Sequence, residues 1–165
     1  GDVQASMSGG SLVSRGGGKF VARPSSVGNP VTISVSAKGR KIGEYKFRVR
    51  KLPDPAPYIA MGSDRFKSGA LSKSALMATT GIHAAIDDGL LDIPFTVTSF
   101  RTVFFDNMGN AVPLASNGAQ FSAQQKEQFR RLSRNKRFYI TNVVVHGPDG
   151  TTRTLNGRNM EVIVR

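Results

Sequence analysis

The sequence predicts a mainly β protein with some α: a partial β-sandwich followed by a strand-rich α+β domain with two short helices. Three observations predict it. Apolar and polar residues alternate with period two in short runs over most of the chain, the signature of half-buried strands. Only two stretches carry a helix start signal followed by apolar residues at helical spacing. Between the purely strand-like first third and the mixed remainder stands LPDPAP (52–57), with three prolines in five positions.

The first module comprises residues 1–51. GGGKFVARP offers a short strand after a glycine turn. VTISVSA (31–37) places Val31, Ile33, Val35 and Ala37 on one face and Thr32, Ser34 and Ser36 on the other. After the turn AKGRK, a strand over 44–50 sets Tyr45, Phe47 and Val49 against Lys46, Arg48 and Arg50. Three or four such strands make half a sandwich, too few to close a core. We therefore expect this module to be completed by missing sequence or by another chain. The start, GDVQASMSGGSLVSRGGG, has neither an initiator Met nor a charged-then-apolar leader pattern, so the chain reads as part of something longer.

Pro53, Asp54, Pro55 and Pro57 form the expected inter-domain connector. Proline rings restrict the backbone and remove donors, giving a stiff, extended segment.

The second module comprises residues 52–165. Ser72 or Ser74 can cap a short helix through Thr79, closed by Gly81. A strand follows over 82–87. Another opens at Pro94, and its apolar face switches near Ser99, from Phe95 and Val97 to Phe100 and Phe104; this marks a bulge or a strand buried on both faces. DNMGN (106–110) reads as a hairpin turn. Ser122 with Gln125 is a capping-box pattern opening a helix to about Arg134, with Gln125, Phe129 and Leu132 on one face and Lys126, Arg130 and Arg134 on another. RFYITNVVVH, the turn GPDG, TTRTLN and MEVIVR complete a strand-rich end.

Composition excludes several function classes. Without cysteine there are no disulfides or thiolate metal sites, and no apolar run approaches the ~20 residues of a membrane-spanning helix. The two histidines, His83 and His146, stand in or beside strands far apart in the chain and are read as structural. No G-x-S-x-G elbow is present, and GGGKF has Phe20 where a phosphate loop needs Ser or Thr. Asp87, Asp88 and Asp92, like DNMGN, lack the alternating oxygens and terminal Glu of a calcium loop and are read as turn and capping acids. Neither a catalytic residue nor a cofactor is expected.

The charge is lopsided. The net charge is +12, with 10 basic and 2 acidic residues in 1–51 and 13 against 9 in 52–165. Lys126, Arg130, Arg131, Arg134, Lys136 and Arg137 crowd into twelve positions with Glu127 the sole acid. This cluster is the candidate partner-docking surface. Phe129, Phe138 and Tyr139 interleave with it, so a module binding nucleic acid or an anionic glycan is the alternative. Phe129 and Phe138 fall on apolar faces, however, and no RNA-binding signature or zinc finger accompanies them, which places nucleic acid second.

FRVRKLPDP (47–55), GALSKSALMATTGIHAAIDDGLLDIPFTVTSF (69–100), SNGAQFSAQQ (116–125) and ITNVVVHGPDGTTRTLN (140–156) resemble, in order, the C-terminal part of the GldM/PorM family of the type IX secretion and gliding machinery of Bacteroidetes. GGGKFVARPSSVGNPVTISVSAKGRKIGEY is similar to the second half of the preceding immunoglobulin-like domain. LLDIPF (90–95), where gliding members carry an acidic–aromatic run, and the basic charge lean towards the PorM branch. The resemblance implies a periplasmic fragment of a protein anchored in the inner membrane by an N-terminal helix absent here. It further implies an elongated homodimer, PorL as the inner-membrane partner of the absent segment, contact of the distal end with the outer-membrane-associated PorK/PorN ring, and transmission of proton-motive-force energy. Strand exchange between two chains is a second expectation, drawn from the incomplete first module.

Overall fold

The structure, a computed structural model, describes residues 2–165. The chain divides into two compact units, Gly1–Leu52 and Pro53–Arg165. It is mainly β with two helices, the class the sequence predicts.

The first unit contains β1 (Val3–Ser8), β2 (Gly10–Gly16), β3 (Lys19–Pro24), β4 (Val31–Ala37) and β5 (Arg40–Phe47). β4 is the centre of an antiparallel sheet ordered β1-β4-β5, and β2 pairs only with β3. The tight β2–β3 turn needs glycine: Gly16, Gly17 and Gly18 have φ of 82°, 61° and 75°, a region that a side chain disfavours. β1 and β2 were not expected. Their alternation rests on small residues among Gly and Ser, and period-two patterning is faint there. β5 also stops at Phe47 rather than Arg50.

Little of this unit is buried. Val31 is its only hydrophobic side chain in the closed core, whereas Tyr45 and Phe47, on the apolar face of the 44–50 pattern, are 55% and 52% exposed. Alternation identified the apolar face but not a cover for it.

In the second unit β6 (Ala56–Met61), β7 (Asp64–Phe66), β8 (Gly69–Leu71) and α1 (Lys73–Ala78) precede β9 (His83–Asp87), β10 (Asp92–Phe105) and β11 (Ala111–Ser116); then come α2 (Ala123–Arg131), β12 (Arg137–His146), β13 (Thr152–Thr154) and β14 (Met160–Val164). The sheet runs β7-β6-β9-β10-β12-β14-β8, with β11 on β10 and β13 on β12. All pairings are antiparallel except β14 with β8.

β10 organises the unit. Its buried residues run Phe95 and Val97, then Phe100, Thr102 and Phe104, and the register against β12 shifts on both sides of Ser99. The change of phase is therefore a bulge, which lets one long strand keep a single face inward while switching its edge partner from β9 to β11. Five phenylalanines pack beneath it. Phe129 of α2 meets Phe104, Phe121 and Phe138 at 5.9, 4.8 and 5.1 Å between ring centres, and Phe100 meets Phe121 edge-on at 5.5 Å.

The proline segment differs from the expectation. Pro55 and Pro57 are buried, and Pro57 is the second residue of β6, so the stretch outside the strands runs from Arg48 to Pro55 and does not include Pro57. A sheet accepts Pro57 because it pairs with Ala84 of β9 while β7 joins the other edge only from Ile59. Proline is tolerated where one edge has no neighbour to serve. Pro94 obeys the same rule: it sits inside β10 opposite Ala85, two residues before pairing with β12 begins at Thr96.

Candidate functional site

The basic cluster is positioned by α2. Ser122 caps the helix by accepting from the Gln125 N–H at 3.2 Å, and the Gln125 side-chain oxygen accepts the Ser122 N–H at 2.8 Å. This is the reciprocal box that the sequence predicts. Gln125 is fully buried, and its amide nitrogen also donates to the Leu114 carbonyl of β11 at 3.2 Å, so the cap doubles as an anchor. At the other end Lys73 Nζ donates to the carbonyls of Arg130 and Leu132, both at 2.7 Å, placing a cation on the helix's negative pole. With Gln125 and Phe129 turned inward, Lys126 and Arg130 face out.

α2 ends at Arg131, three residues earlier than expected. Leu132 leaves the helix in an extended conformation and Asn135 takes φ 69°. Arg134 and Lys136 therefore stand on a loop, and Arg137 begins β12; the six cations form a patch, not one helical stripe. The loop is fixed from below: Asn135 N–H donates to the Val164 carbonyl at 2.7 Å, and Val164 N–H to the Lys136 carbonyl at 2.9 Å.

Nearby carboxylates are partly spent. Glu127 lies 2.6 Å from Arg130 and 3.5 Å from Arg131, and the Arg130 hydrogen bond holds its pKa below the ordinary glutamate value. Glu161 accepts from Arg137 at 3.2 Å and from the Tyr139 hydroxyl at 3.0 Å. Lys126, Arg134 and Lys136 have no ion-pair partner among the described residues. Of the interleaved aromatics, Phe129 and Phe138 are core residues, 1% and 0% exposed, and offer no face to a nucleobase.

The connector residues meet an arginine that sequence reasoning missed. Arg153 Nη1 donates to the Pro53 carbonyl at 2.9 Å and to Asp54 at 3.0 Å; Nη2 reaches Asp149 at 2.8 Å and Nε the Thr151 hydroxyl at 3.1 Å. Its guanidinium lies 5.3 Å over the Phe95 ring. In TTRTLN this arginine occupies an alternating position that reads as surface. Its one signal is Asp149 four residues earlier in the GPDG turn.

The remaining candidates take structural positions. His83 stacks on Tyr58 at 5.3 Å, and His146 shares a hydrogen bond with Thr152. Asp87 pairs with Arg65 and Lys67, and Asp92 with Arg65. Asp88 accepts the Leu90 and Leu91 N–H groups, and Asp106 those of Met108 and Asn110. Among the described residues no group of three or more His, Asp or Glu side chains is arranged to hold a metal ion, and no helix is long and apolar enough to cross a membrane.

Two family models match in series. Residues 1–50 match the GldM third domain and residues 53–165 the GldM C-terminal domain. No curated protein matches the chain.

Proposed function

Since the chain belongs to the GldM family of type IX secretion and gliding components, we propose that it is a periplasmic coupling element of that machinery, of the PorM branch, and not an enzyme. In this reading it is the distal part of an inner-membrane-anchored shaft whose PorL contact is made by sequence absent here. It meets the outer-membrane-associated PorK/PorN ring through the patch Lys126, Arg130, Arg131, Arg134, Lys136 and Arg137. The observation that carries the reading is the serial match of two family domains over almost the whole chain.

The mechanism is mechanical. Load entering the second unit arrives at Pro53 and Asp54, which Arg153 ties to the 149–151 turn, so the entry point moves with the sheet. The cations sit on a capped helix and a pinned loop, where they orient and speed docking more than they add affinity. The test is binding of the purified chain to reconstituted PorK–PorN complex across a salt series. Saturable binding that weakens with salt and falls with Arg130→Glu/Arg134→Glu is expected; binding indifferent to both would remove the patch from the contact.

We further propose that two chains associate through the first unit. Support comes from its thinly covered apolar face, with Val3, Tyr45 and Phe47 each more than 40% exposed while, among the described residues of the unit, Val31 is the one hydrophobic side chain closed off. Strand exchange is one way to cover that face. Light scattering should give the mass of two chains, and a compact monomer would count against the idea.

A further inference from the structure

The β10–β11 hairpin and the end of α2 enclose a cleft of about 670 Å³. A second hollow of about 410 Å³ lies along the flank of α2 towards Leu114 and Gln124, and Gln128 and Arg131 border both. Val112, beside Phe104 on the α2 face of the hairpin, and Phe105, on the opposite face with Tyr139, both reach the cleft at the hairpin's end. Phe105 is 45% exposed although its ring packs edge-on against Tyr139 at 6.1 Å. Arg131, Lys136 and Arg137 line it with positive charge.

The charge does not cancel locally. Arg131 shares Glu127 with Arg130, Arg137 shares Glu161 with Tyr139, and Lys136 has no carboxylate among the described residues. Asp106, the acid on the hairpin side, is turned onto its own turn, accepting from the Met108 and Asn110 N–H groups and the Asn110 side chain. Strand addition along β11 is disfavoured. Pro113 has no N–H, and the Leu114 carbonyl already accepts from Thr102 and Gln125. An occupant must therefore be held by side chains.

We propose that this groove receives an acidic, partly apolar segment of a partner protein, with carboxylates on Arg131, Lys136 and Arg137 and an apolar side chain against Phe105. The proposal rests on reading the basic patch as a docking surface, and moves the specific contact from the outward face of α2 into the groove. A polyphosphate chain fits less well. It would run its charge past Asp106, Glu127 and Glu161, whereas a peptide can turn neutral side chains to those acids and meets one aromatic ring suited to an apolar anchor.

The experiment uses fluorescence anisotropy with three labelled probes: the capped peptide EEFEELEE, its neutral counterpart QQFQQLQQ, and oligothymidylate. Each is titrated against the wild-type chain, Lys136→Glu, Phe105→Ser and Arg158→Glu, an exposed charge reversal just before β14 and outside the patch, with circular dichroism to confirm that every variant folds. The acidic peptide should bind and weaken with salt. Lys136→Glu should lower its affinity about 10-fold and Phe105→Ser about 5-fold, while Arg158→Glu shifts it less than about 2-fold. Unchanged affinity in both groove variants, an equal or larger loss in Arg158→Glu, or tighter binding of oligothymidylate than of the peptide would each overturn the groove. A mass change on light scattering caused by Lys136→Glu would overturn it in favour of a second copy as occupant. Salt-sensitive binding of PorK–PorN without peptide binding sinks the groove and spares the docking reading; groove-dependent peptide binding without ring binding does the reverse.

Discussion

Arg153 Nη1 lies 3.0 Å from the Asp54 carboxylate, joining residues 99 apart where the chain enters its second unit. The arginine side chain is 7% exposed and Asp54 51%, so the two ends of this contact differ in what their loss should cost.

Arg153→Met leaves the Pro53 carbonyl, Asp149 and Thr151 without their shared donor. Unfolding of the second unit should become easier by about 3 kcal/mol, a drop of roughly 10 °C in Tm. Asp54→Ala, at the exposed end, should cost less than about 1 kcal/mol. Arg153→Lys should recover little, because a point charge cannot serve four acceptors held in a fork. Thermal unfolding followed by far-ultraviolet circular dichroism measures all three.

Phe129→Ala removes the ring that touches Phe104, Phe121 and Phe138 together. The loss should be about 4 kcal/mol. Because Phe129 also seats α2, hydrogen exchange at Lys126–Arg131 should accelerate more than exchange in β14.

Ser122→Ala deletes one arm of the capping box and should cost about 1 kcal/mol. Gln125→Ala should cost more, about 2–3 kcal/mol, since it empties a fully buried site, strands the part-buried Ser122 N–H and takes from the Leu114 carbonyl one of its two side-chain donors. Chemical denaturation with an unchanged m-value checks the ranking.

Acid should weaken the second unit through exposed carboxylates. Hydrogen bonds hold the pKa of several below the ordinary value, among them Glu127 by Arg130, Asp87 by Lys67 and Asp106 by the Asn110 backbone. A folded pKa below the unfolded one contributes stability that is complete above the unfolded value and lost as pH falls through the folded one. Tm should therefore be level from neutrality to about pH 5 and decline below about pH 4. The decline should shrink in high salt, and Glu127→Gln should flatten part of it.

Legibility from sequence followed the kind of signal. The Ser99 bulge was readable because a register change must shift the phase of the buried residues. The Ser122–Gln125 box was readable because its chemistry is local. β6 was hidden by its own prolines: only the neighbouring strands reveal that one edge at Pro57 is free. The end of α2 was overestimated because Arg134 continues a four-residue rhythm that Leu132 and Asn135 break through backbone conformation. Arg153 was missed because two of its partners, Pro53 and Asp54, come from the far end of the unit. The basic patch was legible as charge, but the groove was not, since Phe105 and Val112 reach it from a separate hairpin.

The parallel pairing of β8 with β14 has a consequence for the order of events during folding. Ser68 bonds to Glu161 across 93 residues, Arg165 to Leu71, and Arg153 to Pro53 across 100. Closing loops of that length costs roughly 4 kcal/mol of chain entropy before any of these contacts repays it. As the chain emerges from the ribosome N-terminus first, β6 can pair with β7 and β9 early, but β8 must wait unpaired until the final strand arrives. Maturation should then be a slow, late step, on a scale of milliseconds to seconds. Trimming even the last strand should abolish the whole unit rather than shorten it.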